Sequence, residues 1–240
     1  MSGHSHWAGI KHKKAAEDAK RGKTFSKLGK IISVTVREKG GDPAMNPRLR
    51  IAIETAQKAN MPKDNIERAI KKGMGELEGA TLETILLEIY GPEGIAILVE
   101  GITDNKNRTL SEIKKILHGH QAKLASEGSV KWMFKPTGIL TLKTPSTEAE
   151  KEKLELAIID AGAEDLEWND DLLFVYTLPE KLDLTKQALE AKSHQIESAA
   201  LGWTPKNPVE IDETKREKLE KLFEALDEYD DVQEIYSNLK

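Results

Sequence analysis

GILTLKTPSTEAEKEKLELAIIDAGAEDLEWNDDLLFVYTLPEKLDLTKQALEAKSHQIESAAL, residues 138–201, decides the fold. Strands are read at Ile139–Leu142, Asp165–Trp168, Leu172–Leu178 and Ile196–Leu201. Between them Glu148–Ala161 and Lys181–Lys192 carry the three- and four-residue apolar spacing of helices. The order is strand, helix, strand, strand, helix, strand, the ferredoxin-like arrangement. A unit over 137–206 is therefore expected to close its own core.

On the N-terminal side, Leu86–Tyr90 and Ile95–Glu100 read as strands, separated by the turn residues Gly91-Pro92-Glu93-Gly94. Asp104 to Thr109 is a polar loop leading into a helix with Leu110, Ile113, Ile116 and Leu117 on one face. A third strand is expected at Val130–Phe134, broken by Pro136 and Gly138. On the C-terminal side there remain one charged helix, Glu213–Leu226, and one short strand, Val232–Tyr236. These two cannot bury a core alone, so they are expected to return to the strand-poor middle segment. That makes a middle α+β domain of 79–136 and 207–240, with 137–206 inserted into it.

The first third reads differently. Residues 1–23 form a basic arm in which only Trp7 and Ile10 are large and apolar. Phe25, Leu28, Ile31, Ile32 and Thr35 suggest a helix ending near Gly40-Gly41, although the β-branched run Ile31–Val36 equally suits a strand. Asn46 can cap and Pro47 can open a second helix with Leu49, Ala52, Ile53 and Ala56 inward. Pro62 opens a third, with Ile66, Ala69 and Ile70 inward and Gly73 and Gly75 at its end. A helical domain over 24–78 follows, so the fold class is α+β in three domains.

Charge is sharply segregated along the chain. Residues 1–75 hold 17 Lys and Arg against 7 Asp and Glu, although the whole chain has a net charge of −5. A basic third on an acidic body points to a polyanionic partner. The candidate nucleic-acid contacts are Trp7, Lys11, His12, Lys13, Lys14, Lys20, Arg21, Lys23, Lys27, Lys30, Arg48 and Arg50. Lys23, Lys27 and Lys30 share one helical face, expected to be exposed, and Trp7 amid lysines offers one stacking ring. The polar loop Asp104, Asn105, Asn107, Arg108 is either a helix cap or a contact surface.

Other chemistries find little support. There is no cysteine, which excludes disulfides, thiolate catalysis and cysteine-held zinc. His4-Ser5-His6 has no carboxylate in the arm placed to complete a metal site, so neither metal nor cofactor is expected. Gly22-Lys23-Thr24 resembles the end of a phosphate-binding loop, but Glu17 stands where that motif needs glycine. No convergent nucleophile or acid–base set is found, so an enzyme and a small-molecule substrate are not expected. No apolar run approaches membrane-spanning length, and the cytoplasm is the expected compartment. The Gly-Asp-Pro loop at 41–43 is not the short turn of a helix-turn-helix.

Eight stretches carry a family resemblance: GHSHW (3–7), IKHKKAAEDAKRGK (10–23), GGDPAMNPRLR (40–50), NMPKDNIERAIKKG (60–73), YGPEGIAILVE (90–100), TDNKNRT (103–109), GSVKWMF (128–134) and DVQEIYSNL (231–239). The chain resembles the YebC/PmpR family, which includes the mitochondrial translational activator of cytochrome c oxidase subunit I. His6 stands where that family usually has lysine. The resemblance implies an N-terminal helical domain followed by two α+β domains, with Ile31–Val36 helical. It implies a functional surface on Lys11–Lys30 and on the Arg48/Arg50 helix. The expected function is a nucleic-acid-binding regulator of gene expression, acting on DNA in transcription, with a ribosome-associated translation factor as the alternative.

Overall fold

The computed structural model describes residues 18–169 and 171–240, with side chains from residue 22 onward. The expected arm up to residue 17 lies outside the described residues. Two compact units are present among the rest. One comprises residues 18–132 and 211–237, the other 133–210 and 238–240.

The first unit opens with three helices, α1 (Asp18–Lys39), α2 (Pro47–Lys58) and α3 (Lys63–Gly73). Leu28, Ile32 and Val36 recur every fourth residue and form one buried stripe of α1. They pack with Leu49, Ala52 and Ala56 of α2 and with Ile66 and Ala69 of α3. Ile31–Val36 is therefore helix, because this packing overrides the strand preference of its β-branched residues. The helix starts at Asp18, so the last six residues of the expected arm belong to it. At the far end α3 approaches α1 closely. A Cβ on Gly73 would lie 2.5 Å from the Ser33 carbonyl oxygen and 2.7 Å from Val36 Cβ.

Asn46 joins these pieces. Its side chain accepts from Leu49 N at 3.2 Å, capping α2, while Nδ2 donates to Thr35 O at 3.1 Å and to Gly40 O at 2.9 Å. The residue is fully buried, so the cap also fixes the end of α1 and the loop between them.

The same unit holds an antiparallel sheet of β1 (Glu83–Tyr90), β2 (Ala96–Thr103), β3 (Lys123–Leu124) and β8 (Val232–Ser237), in the order β3-β1-β2-β8. β2 lies between β1 and β8 and is buried along nearly all its length. Helices α4 (Lys106–Gly119) and α7 (Glu213–Asp227) bury Ile113 and Leu117, and Leu219, Leu222, Phe223 and Leu226.

The second unit runs β4 (Phe134–Lys143), α5 (Glu148–Asp160), β5 (Asp165–Asn169), β6 (Leu172–Thr177), α6 (Leu182–Ala191) and β7 (Ile196–Pro205). Its sheet is antiparallel in the order β5-β6-β4-β7, the ferredoxin-like arrangement. Thr147 and Glu150 close a capping box at the start of α5.

The strand expected at Val130–Phe134 is corrected. Lys131–Met133 is a 3-10 turn, and β4 starts at Phe134 and runs through Pro136 and Gly138 without a break. Pro136 is tolerated because β4 pairs there with β7 alone, and its pairing with β6 begins only at Gly138. Gly138 is needed because a Cβ would lie 2.9 Å from Leu182 Cβ of α6. The boundary expected at 136/137 therefore falls inside a strand.

Candidate nucleic-acid interface

The basic residues separate into a paired group and an exposed group. Trp7, Lys11, His12, Lys13 and Lys14 lie outside the described residues; Lys20 and Arg21 are on α1, and their side chains are not described. Lys23 is half-buried on the same helix.

Lys27 and Lys30 do not lie on an exposed face, which corrects the reading from sequence. Lys27 Nζ is 2.9 Å from Asp227 Oδ1, and Lys30 Nζ is 2.8 Å from Asp231 Oδ1. Their side chains are only 12% and 19% exposed. Each ammonium also donates to a backbone carbonyl, Asp227 O at 3.2 Å and Asp230 O at 2.9 Å. The acidic end of α7 and the residues just after it thus occupy the place expected for phosphate.

Asp231 is the centre of this arrangement. Its side chain is 7% exposed. Oδ2 accepts from Thr109 Oγ1 at 2.7 Å, from Arg108 Nη2 at 3.2 Å and from the Tyr229 hydroxyl at 3.3 Å. Burial alone would push the carboxyl up. Hydrogen bonds from Lys30 and Thr109, the Lys30 charge and Arg108 outweigh it and hold the carboxyl down at about 2.

The polar loop before α4 belongs to the same network. Asn105 caps α4 by accepting from Arg108 N at 3.1 Å, and Arg108 Nη2 reaches Asp104 Oδ1 at 2.6 Å. Its hydrogen bonds to Asp104, Asp231 and Tyr229 push the guanidinium further up. Asn105 and Arg108 therefore serve as cap and clamp, and Asn107 stays exposed on the first turn. Asp231 was not singled out from sequence, since nothing local ties it to Lys30 or Thr109.

Further exposed cations lie on α2 and α3. Arg48 pairs with Glu38 at 3.0 Å in the open, and half-buried Arg50 donates to Pro43 O at 3.4 Å. Lys58, Lys63, Arg68, Lys71 and Lys72 are exposed. Lys63 lies 3.6 Å from Glu67, while Arg68, Lys71 and Lys72 form no ion pair with another described residue. Arg68, Lys71 and Lys72 are three and four positions apart, and Ile66 and Ala69 turn the other side of α3 into the core. Between α2 and α3 stands a four-residue turn, Ala59–Pro62, in which Asn60 takes the left-handed φ of 58°.

Among the described residues, no group of His, Asp and Glu is arranged to hold a metal ion. Nor is any described helix long and apolar enough to cross a membrane.

A solved structure, a conserved hypothetical protein of Aquifex aeolicus, superposes with a TM-score of 0.92 at 45% identity, covering 98% of this chain and 96% of that one. A protein of Halothermothrix orenii is 48% identical over 239 residues, 99% of this chain and 94% of its own. One of Dictyoglomus turgidum is 47% identical over 238 residues, 99% and 95% of the two chains. Both are named "Probable transcriptional regulatory protein". Residues 5–76 match the family model described as the TACO1/YebC protein N-terminal domain. Residues 82–239 match the one described as TACO1/YebC second and third domain. With nearly the whole length matched in this way, the chain belongs to the TACO1/YebC family.

Proposed function

We propose that this chain regulates transcription by binding DNA through the exposed basic side of α2 and α3. The observation that carries the reading is the placement of Arg68, Lys71 and Lys72 together on the outer side of α3, directly after a four-residue turn. That turn length is the one a helix-turn-helix uses to present its second helix to the major groove. Residues 47–73 hold seven Lys and Arg against three Asp and Glu, enough for a phosphate-directed surface. Earlier in the chain, Lys11, Lys13, Lys14, Lys20, Arg21 and Lys23 add charge, His12 a further donor and Trp7 a ring. The names borne by the relatives support a regulator.

Crosslinking in cells, followed by sequencing of the bound DNA and RNA together, tests this reading. Discrete DNA sites should be recovered with the wild-type chain and lost with Arg68→Ala/Lys71→Ala/Lys72→Ala. Recovery of ribosomal RNA alone would replace transcription by a role at the ribosome.

A further inference from the structure

Helix α4 differs in charge from the helices that follow it. Residues 106–119 hold four Lys and Arg, namely Lys106, Arg108, Lys114 and Lys115, and a single acid, Glu112. By contrast α5 holds five Asp and Glu against two Lys, α6 two against one, and α7 five against four. The chain beyond residue 75 is acidic as a whole, so a cationic helix there does not follow from composition.

The packing of α4 decides which of its groups face outward. Thr109, Ile113 and Leu117 are its buried residues. Asn107, Ser111, Lys114 and His118, spaced by three and four positions, therefore form a stripe on the outer side, and all four are exposed. None of these four side chains forms a hydrogen bond or ion pair with another described residue. The acids nearby are already engaged. Lys115 Nζ lies 2.6 Å from Glu112 Oε1, and at the first turn Arg108 holds Asp104 and Asp231. The stripe thus presents an ammonium, an imidazole, an amide and a hydroxyl, with no carboxylate among them. At a rise of about 1.5 Å per residue it is about 16 Å long.

We propose that this stripe is a second contact for duplex DNA, in which Asn107, Ser111, Lys114 and His118 meet phosphates along one strand. Charge complementarity names the occupant, since a positive face on an otherwise acidic stretch of chain selects a polyanion. Lysine, serine and asparagine are among the side chains that bind phosphate oxygens, and a histidine N–H is a further donor. Such contacts set register on the duplex and carry no sequence information. The length of the stripe covers several phosphates of one strand, which recur about every 3.4 Å along the duplex axis. This inference rests on the nucleic-acid reading above and adds to it a surface on another helix, whose contribution does not depend on DNA sequence.

The test measures binding of the full chain to labelled DNA duplexes of two unrelated sequences and to an RNA hairpin by fluorescence anisotropy. The substituted positions are exposed, and thermal melting checks that the variants fold. Lys114→Ala/His118→Ala should weaken both duplexes by the same factor, about tenfold, and Lys114→Glu/His118→Glu by more. With the alanine pair the slope of log K against log salt should flatten by about 1. Lys153→Ala, which removes an exposed lysine of α5, should leave binding unchanged. Equal weakening by Lys153→Ala would assign the effect to net charge and overturn the stripe. Duplex binding untouched by the α4 variants but lost in Arg68→Ala/Lys71→Ala/Lys72→Ala would overturn it too, and would leave the proposed function standing. Binding lost in the α4 variants and kept in the α3 variant would do the reverse. Weakening of the RNA hairpin alone would overturn the assignment to DNA. If the wild-type chain binds neither duplex, both proposals fall.

Discussion

Lys30 Nζ and Asp231 Oδ1 are 2.8 Å apart, although 201 positions separate the two residues in the chain. With Lys27 and Asp227, this pair ties the first helix to the segment through which the chain returns from α7 to β8. The carboxylate that receives Lys30 also receives Thr109 and Arg108, so three elements meet on one side chain. The most conspicuous lysines of the helical region are therefore spent inside the molecule. Among the described residues, Arg68, Lys71 and Lys72 on α3 are exposed and form no such pair.

Removing the acceptor should therefore cost stability. Asp231→Ala leaves Lys30 and Thr109 without their shared partner in a nearly closed site. Breaking a buried pair in this way costs about 3 kcal/mol. Asp231→Asn, which keeps an acceptor oxygen, should lose less. Urea unfolding measures both, and a double-mutant cycle of Lys30→Ala with Asp231→Ala should return a coupling of about 1 kcal/mol or more. A coupling near zero would mean that the ion pair contributes nothing measurable.

The same carboxyl predicts an acid limb. Its ordinary value of 3.8 falls to about 2 in the folded chain, so the native state binds this proton later than the unfolded one. The stabilisation is complete above about pH 4 and disappears as pH falls through about 2, and it amounts to about 2 kcal/mol. Urea midpoints followed across that range should drop in the wild type and drop less steeply in Asp231→Asn. Parallel curves would assign the acid limb to other carboxylates.

On α3 the expectation reverses. Arg68→Ala/Lys71→Ala/Lys72→Ala removes exposed charge, and stability should change little, by about 0.5 kcal/mol for each site. If each side chain meets one duplex phosphate, the slope of log K against log salt should flatten by about 2 to 3. Lys27→Ala/Lys30→Ala should do the opposite, lowering stability while leaving the salt slope alone. Anisotropy titrations at several salt concentrations separate the two. An unchanged slope in the α3 variant would place the nucleic-acid contact elsewhere.

What the sequence discloses depends on how local the cause is. Asn46-Pro47 and Pro62 announce their helices because caps and helix starts are written in adjacent residues. The alternating strands and helices of 138–201 are legible for the same reason, and they carry the fold class with them. Pro136 misleads, because whether a proline breaks a strand depends on which neighbour is paired beside it, and β6 reaches only as far as Gly138. Val130–Phe134 looks like a strand by its apolar residues, but the Glu88 carboxylate captures its backbone N–H groups first. The spacing of Lys23, Lys27 and Lys30 is visible at once. Their fate is not, since Asp227 and Asp231 are some two hundred residues away. The charge balance of the first 75 residues thus indicates a basic surface without showing which lysines compose it.

Asn46 provides the sharpest test of how the bundle is held. Its side chain is fully buried and serves three backbone groups at once, Leu49 N as acceptor and Thr35 O and Gly40 O as donor. Asn46→Ala removes a helix cap worth about 1 kcal/mol and leaves two carbonyls without their donor, each at about 1 kcal/mol or more. The expected loss is about 3 kcal/mol. Asn46→Ser can restore the cap but cannot reach both carbonyls, so it should recover about 1 kcal/mol of that loss and no more. Both variants should unfold at lower urea concentration in the order wild type, Ser, Ala. If Ser matched the wild type, the cap alone would account for Asn46, and the link between α1 and α2 through Thr35 and Gly40 would carry no weight. If Ala matched Ser, the cap would contribute nothing and the two carbonyl bonds would carry the whole effect.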